Sequence, residues 1–277
     1  MAVNLVKELL SKIEKKRRSI VVLGDVMTDR WVHGSVSQCQ DGCPKFVQDR
    51  VVDVPGGAAN ARRSLDRWNI TTHLCGRNGE IPIKCRYVDS NNKILFRSDS
   101  GEGLPCDYSR VHSLAMEMVG CVDGVLLSDY DKGMLTHEFI RGVSDLCRKR
   151  GIPCVADAKQ LPRIYKGLVL KGNFDYLERY SDNIEFSSDV VITRGASSPI
   201  IRKYGMVVNV GVDFSVVCIN HVGAGDCFAA HLLLAMVYGF SLVESATLAY
   251  SAGRVYVQHL HNRPPTPSEV AADLNVQ

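Results

Sequence analysis

Val216-Val217-Cys218-Ile219-Asn220-His221-Val222-Gly223-Ala224-Gly225-Asp226-Cys227-Phe228-Ala229-Ala230 is the stretch from which fold and chemistry are read together. Its small residues run straight into a long apolar segment, 224–238, that is predicted to be helical. Gly223 and Gly225 let successive backbone amides crowd and point outward, and the helix dipole adds partial positive charge at the same place. Such a nest holds the charge that builds on a phosphoryl group in flight. Asp226, in the first turn, stands where a carboxylate can take a proton from an attacking hydroxyl. Taken alone, these residues read equally well as a helix cap in which Asp226 bonds only its own amides.

Outward from this point, the pattern is one of strands alternating with helices. Apolar positions at Val3, Val6, Leu9, Leu10 and Ile13 share one helical face over 3–18. The run Ser19-Ile20-Val21-Val22-Leu23 reads as a buried strand, and 58–68 as a helix. Strands are predicted at 124–128, 153–157, 167–171 and 190–193, with helices at 137–149, 224–238 and 242–258. This rhythm predicts an α/β protein with a mainly parallel sheet covered on both faces. Two pieces break it: 45–52, charged and partly alternating, and 83–97, a β-hairpin that puts Lys84 and Arg86 on one face. They are expected to form a small lid. The open edge of 45–52 would be protected by pairing with a second copy, which predicts a homodimer through the lid strands.

Bulk composition excludes several classes. The 277 residues are 45% hydrophobic and 23% charged, ordinary for a globular chain. A net charge of +3 does not argue for nucleic acid, and Lys15-Lys16-Arg17-Arg18 reads as the solvated end of a helix. No apolar run approaches the roughly 20 residues of a membrane span. The N-terminal charges follow a short apolar face, the reverse of a signal peptide. The ten cysteines are scattered, Cys39 and Cys43 being the closest pair, with no histidine cluster to complete a zinc site. A reducing, cytoplasmic setting is the expectation. His33, His73, His112, His137 and His231 lack metal-ligand spacing, and Trp31 and Trp68 read as packing residues.

The motifs, in order, resemble the ribokinase-like (PfkB) carbohydrate kinases. Gly223–Asp226 matches the end of that family's D-T-x-G-A-G-D element. Gly24-Asp25-Val26-Met27-Thr28-Asp29-Arg30 and Pro55-Gly56-Gly57-Ala58-Ala59-Asn60 are similar to its sugar-binding strand end and its GG-x-x-N element. Within the family, Lys84-Cys85-Arg86-Tyr87-Val88, Leu127-Ser128-Asp129-Tyr130-Asp131-Lys132-Gly133 and Val191-Ile192-Thr193-Arg194-Gly195 look like the D-glycero-D-manno-heptose-7-phosphate kinases. The resemblance spans about 19–270. It implies a ribokinase-like three-layer α/β/α sandwich, one domain over 1–277, with lid segments near 31–54 and 82–98. It also implies ATP and Mg²⁺, with transfer of the γ-phosphate to the anomeric hydroxyl of the sugar. Asp226 would be the base and Gly223, Ala224 and Gly225 the anion hole. Asp29 and Asn60 would bond sugar hydroxyls, with Gly56 and Gly57 letting the backbone approach the ring. Asn173, Thr193, Gly195, Asn220 and Gly253 would lie on the nucleotide side, with His259 and His261 near the adenine or in solvent.

A substrate that already carries a phosphate needs a cationic clamp, and Lys84, Arg86 and Lys132 are the candidates. If they point into the sugar pocket a phosphorylated sugar is favoured; if they point to solvent, a neutral sugar or a nucleoside. Four features depart from the family pattern. A helix–strand unit is reduced to Asn78-Gly79-Glu80. Asn220 replaces the first Asp of the signature. Tyr176 stands where the N-x-x-E element has its acid, and Ala196-Ser197-Ser198 lacks the usual second glycine. Three of these lie on the nucleotide side, which leaves a sugar-phosphate-binding protein without turnover as the alternative.

Overall fold

The computed structural model describes residues 5–37, 42–102, 106–159, 162–180, 189–203, 206–211, 213 and 215–275. Cys39 lies outside them. In chain order the elements are α1 (Leu5–Lys15), β1 (Ser19–Gly24), β2 (Val26–Ser37), β3 (Lys45–Gly57), α2 (Ala58–Asp66), β4 (Thr71–Cys75), β5 (Ile83–Val88), β6 (Ile94–Ser100) and α3 (Ser109–Val119). There follow β7 (Gly124–Ser128), α4 (His137–Arg150), β8 (Cys154–Asp157), β9 (Val169–Asn173), α5 (Phe174–Tyr180), β10 (Val190–Arg194), β11 (Ser197–Lys203), β12 (Met206–Asn209), α6 (Ala224–Val237), α7 (Leu242–Tyr256) and α8 (Pro267–Leu274).

The large sheet has the order β12-β11-β10-β9-β8-β7-β1-β4. From β4 to β10 it is parallel; β11 and β12 are added antiparallel. Side chains of a strand alternate between faces, and both faces here are covered. On β1, Ile20 and Val22 join the core under α1, α2, α6 and α7, while Val21 and Leu23 join the core under α3 and α4. The result is a three-layer α/β/α sandwich, as expected. α6 is apolar nearly all round because it lies in the interior, against the sheet on one side and α2 and α7 on the other. Among the described residues no helix is long and apolar enough to cross a membrane.

The second sheet has four strands in the order β3-β2-β5-β6. The hairpin at 83–97 is β5–β6, and the strand expected at 45–52 runs on to Gly57. β2 was not expected, because Val26-Met27-Thr28-Asp29 follows the first strand with only Asp25 between. The chain leaves one sheet at Gly24 and enters the other at Val26. The shortened stretch after Cys75 has a plain consequence: β4 is the edge of the large sheet, and residues 76–82 pass directly to β5. The β11–β12 hairpin, helices α3, α5 and α8, and edge strand β4 are likewise additions to the sequence reading.

Candidate active site

Asp226 lies in the first turn of α6 and is 3% exposed. The Tyr130 phenol donates to its Oδ1 at 2.6 Å, and Asn60 Nδ2 donates to its Oδ2 at 3.0 Å. The Asn60 amide is fully buried and also reaches the Gly223 carbonyl and the Tyr256 hydroxyl, at 3.2 and 3.1 Å. Burial, together with the charge of Asp157, lifts the Asp226 carboxyl to about 6, against the pull of Tyr130, Asn60 and Lys171. Gly223 caps the helix at φ +83°, and a Cβ there would stand 2.4 Å from both Asn60 Nδ2 and Tyr256 Oη. Only glycine lets the chain turn into the helix while Asn60 holds the Asp226 carboxylate.

On one side of α6's N-terminus opens a cleft of about 820 Å³ along the carboxyl ends of β9 and β10. Asn173, Asp175, Thr193 and Gly195 line its sheet wall; Ala224, Gly225, Phe228, Tyr250, Gly253 and Val257 line its helix wall. Lys159 and Lys171 form its floor. Lys171 Nζ pairs with Asp157 Oδ1 at 3.0 Å, and Lys159 reaches the same oxygen at 3.6 Å. Burial works against the Asp157 charge, but the two lysines outweigh it and hold the carboxyl below its ordinary value. Burial pulls the Lys171 amine down; Asp157 opposes that pull without cancelling it. A Cβ on Gly225 would lie 2.7 Å from Lys171 Nζ, so the buried cation stands directly beside the amide nest.

On the other side lies the second sheet. Asp29 of β2 accepts from Arg86 Nη1 at 2.6 Å through Oδ1 and from Asn262 Nδ2 at 2.9 Å through Oδ2. Asn262 Oδ1 accepts from Asn220 Nδ2 at 3.0 Å, and Asn220 Oδ1 accepts from the Val222 amide at 2.9 Å. One line of hydrogen bonds therefore runs from the second sheet to the nest. Beside it His33 and His261 bring their Nε2 atoms to 2.9 Å. Lys84 is buried, with its amine 4.9 Å from the centre of the Tyr130 ring. Arg86 lies over the ring of Trp31, whose Nε1 is buried without a hydrogen-bond partner among the described residues.

No family model matches the chain. The chain is similar to the bifunctional protein HldE of Caulobacter vibrioides, 25% identical over 92% of this chain and 63% of that protein, and to that of Citrobacter koseri, 26% identical over 93% and 63%. It thus spans less than two thirds of the length of these relatives. Among solved structures, Arabidopsis thaliana ribokinase complexed with ribose and ATP superposes with a TM-score of 0.71 at 16% identity, covering 94% of this chain and 99% of that one. Escherichia coli phosphofructokinase-2 in complex with potassium gives 0.72 at 14%, again over 94% and 99%. The fold is ribokinase-like.

Within this ribokinase-like frame the expected residues fall into three groups. Gly223, Ala224, Gly225 and Asp226 form the helix start, and Asn173, Thr193, Gly195 and Gly253 line the cleft. Asn220 does not line it; its side chain is tied to Asn262 and the nest backbone. Asp29 on β2 and Gly56 and Gly57 at the end of β3 belong to the second sheet, and Asn60 follows them on α2. A Cβ on Gly57 would meet the Asp25 carbonyl at 2.4 Å and Tyr130 at 3.5 Å. Both oxygens of Asp29 and the amide of Asn60 have protein partners, so each has a structural role within the chain. The expected clamp divides. Lys84 and Arg86 face inward, whereas Lys132 is part-exposed and pairs with Glu102 at 3.0 Å.

Tyr176 turns into the core against Gly172, while its neighbour Asp175 puts a carboxylate on the cleft wall. His261 meets the second sheet rather than the cleft; His221 lines the cleft instead. Sequence reasoning missed Tyr130, Asp157, Lys159 and Lys171. A signal existed for Lys171, a cation closing the apolar run Val169-Leu170, since strands of a doubly covered sheet carry charge only where their ends reach a site.

Proposed function

We propose that the chain is an ATP-dependent sugar kinase that phosphorylates the anomeric hydroxyl of a heptose 7-phosphate. The observation that carries this reading is the position of Asp226. It stands at a helix start whose amides and neighbouring Lys171 suit phosphoryl oxygens, and it faces, through Tyr130 and Asn60, the buried polar groups of the second sheet. The sugar oxygen attacks the γ-phosphorus as Asp226 takes the hydroxyl's proton; the bond from that phosphorus to the β,γ-bridging oxygen breaks, ADP leaves, and the nest with Lys171 and Lys159 neutralises the transferred group. Positioning and charge neutralisation supply most of the rate. Mg²⁺ would enter on the nucleotide's phosphates, screening their charge. The second sheet would act as the lid.

A phosphorylated substrate is supported by the inward Lys84 and Arg86. Burial, with Arg97 nearby, depresses the Lys84 amine, and Asp29 only partly compensates. An incoming phosphate would relieve that crowding, and the orphan Trp31 Nε1 would gain an acceptor. The likeness to HldE proteins and to kinase structures supports the same reading. Pairing of two copies through the lid is supported by the exposed Val47 and Val51 on edge strand β3.

The test is ADP release with ATP, Mg²⁺ and a panel of heptose 7-phosphate, ribose, fructose 6-phosphate and adenosine, run beside Asp226→Asn. Turnover on heptose 7-phosphate, abolished by the substitution, is expected. Turnover confined to another member would overturn the substrate assignment. Calorimetric binding of heptose 7-phosphate without turnover would instead establish a binding protein, the reading that the inward-turned Tyr176 and the tied Asn220 favour.

A further inference from the structure

We infer that Tyr130 is the positioning residue for Asp226: its phenol aims the carboxylate and sets its proton affinity, and its ring ties that setting to the lid. The inference rests on the reading of Asp226 as the base.

The geometry is specific. The loop that carries Tyr130 is pinned by Asp25, whose Oδ2 accepts from the Tyr130 and Lys132 amides at 2.9 and 3.1 Å. Asp131 holds a left-handed φ of 56°, which turns the chain back after the tyrosine. The phenol then meets Asp226 Oδ1 at 2.6 Å while Asn60 takes Oδ2, so the plane of the carboxylate is fixed from both ends. Two cations, from separate parts of the molecule, lie over the Tyr130 ring: Lys84 of the lid strand β5 at 4.9 Å and Lys159 after β8 at 5.6 Å. A lid movement that shifts Lys84 therefore acts on the ring that orients the base.

The remaining groups facing Asp226 are Asp157 from β8, Lys159, Lys171 from β9, Cys227 on its own helix and Tyr256 from α7. Asp157 raises the carboxyl's affinity for a proton, and the lysines lower it. The phenol donates to the ionised form and lowers it too. Burial holds the phenol itself protonated, far above its ordinary value, so it remains a donor across the working pH range.

The experiment is the pH profile of kcat/KM for wild type and Tyr130→Phe, with circular dichroism as a check on folding. Loss of one hydrogen bond to a charged group is expected to move the acid limb up by about one pH unit. At pH 6 the variant then falls roughly fivefold below wild type, and near pH 8 the two converge to within a few fold. A uniform loss at every pH, or an unmoved limb, would overturn the inference. Should wild type turn over no sugar at all, the kinase reading fails but this one is still tested. The carboxyl ¹³C resonance that disappears in Asp226→Asn is titrated in wild type and Tyr130→Phe, and equal midpoints overturn the inference. If Tyr130→Phe does not fold, 3-fluorotyrosine at position 130 strengthens the donor and must lower the midpoint.

Discussion

Lys171 Nζ lies 3.0 Å from Asp157 Oδ1, and each side chain is only 3% exposed. A buried pair of this kind adds little net stability, because the cost of removing two charges from water offsets their attraction; breaking it strands one charge in the interior. Here Asp157 keeps Lys159 at 3.6 Å, so Lys171→Met is expected to cost about 1–3 kcal/mol in urea unfolding. The double variant with Asp157→Asn should lose less than the sum of the singles. If Lys171 also meets nucleotide phosphates, calorimetry will show ATP binding at least tenfold weaker in Lys171→Met, a loss that the double variant does not restore.

The raised Asp226 carboxyl is a liability for stability. The group's ordinary value is 3.8 and its folded value about 6, so folding favours the protonated form. Its contribution is fully present below pH 3.8 and is lost as pH rises through 6. That loss amounts to about 3 kcal/mol above pH 7. Asp226→Asn, which cannot ionise, should be more stable than wild type at pH 7.5, should lose that advantage near pH 4, and should lack activity throughout. Urea midpoints at the two pH values check this. A variant less stable than wild type at both would contradict the burial argument.

Much of this was legible in the sequence, for a physical reason. Ile20–Leu23 and Gly124–Ser128 are buried on both faces, so they read as continuous apolar runs, and α6 begins at a glycine-rich turn whose purpose is local. What stayed hidden was long-range. Tyr130 and Asp226 are 96 residues apart, and Asn262 reaches Asp29 across 233. No local periodicity carries such pairings. The β11–β12 hairpin was missed because Ser197-Ser198-Pro199 has turn chemistry, yet it lies at the bulge in the β10–β11 pairing, where a strand tolerates a proline.

Gly223 admits no side chain. Gly223→Ala would place a Cβ against Asn60 and Tyr256 and force an unfavourable positive φ. The expected outcome is a loss of about 2 kcal/mol or more in stability and a fall in turnover beyond a hundredfold, as Asn60 releases Asp226. Gly239→Ala, also at positive φ but with nothing near its Cβ, serves as the control and should cost only the backbone strain.

Cys218 is exposed and lines the cleft, whereas Cys43 and Cys121 are exposed away from it. Iodoacetamide should modify all three. Added ATP should slow the reaction at Cys218 alone, read by peptide mass spectrometry. Equal protection at all three, or none at Cys218, would mean that the nucleotide does not occupy this cleft.

Position 262 answers two demands at once. Its backbone holds a left-handed φ of 54°, following His261 at 51°, a region open to glycine, asparagine and few others. Its amide must both donate, to Asp29, and accept, from Asn220. Glycine satisfies the first demand and loses both bonds. Aspartate keeps the shape but turns a donor into a charge facing Asp29. Asparagine alone meets both, so a lineage carrying this architecture has one acceptable letter here. Variation in the second sheet and variation at the nest must then be inherited as matched changes, because the residue that joins them has no room to compromise.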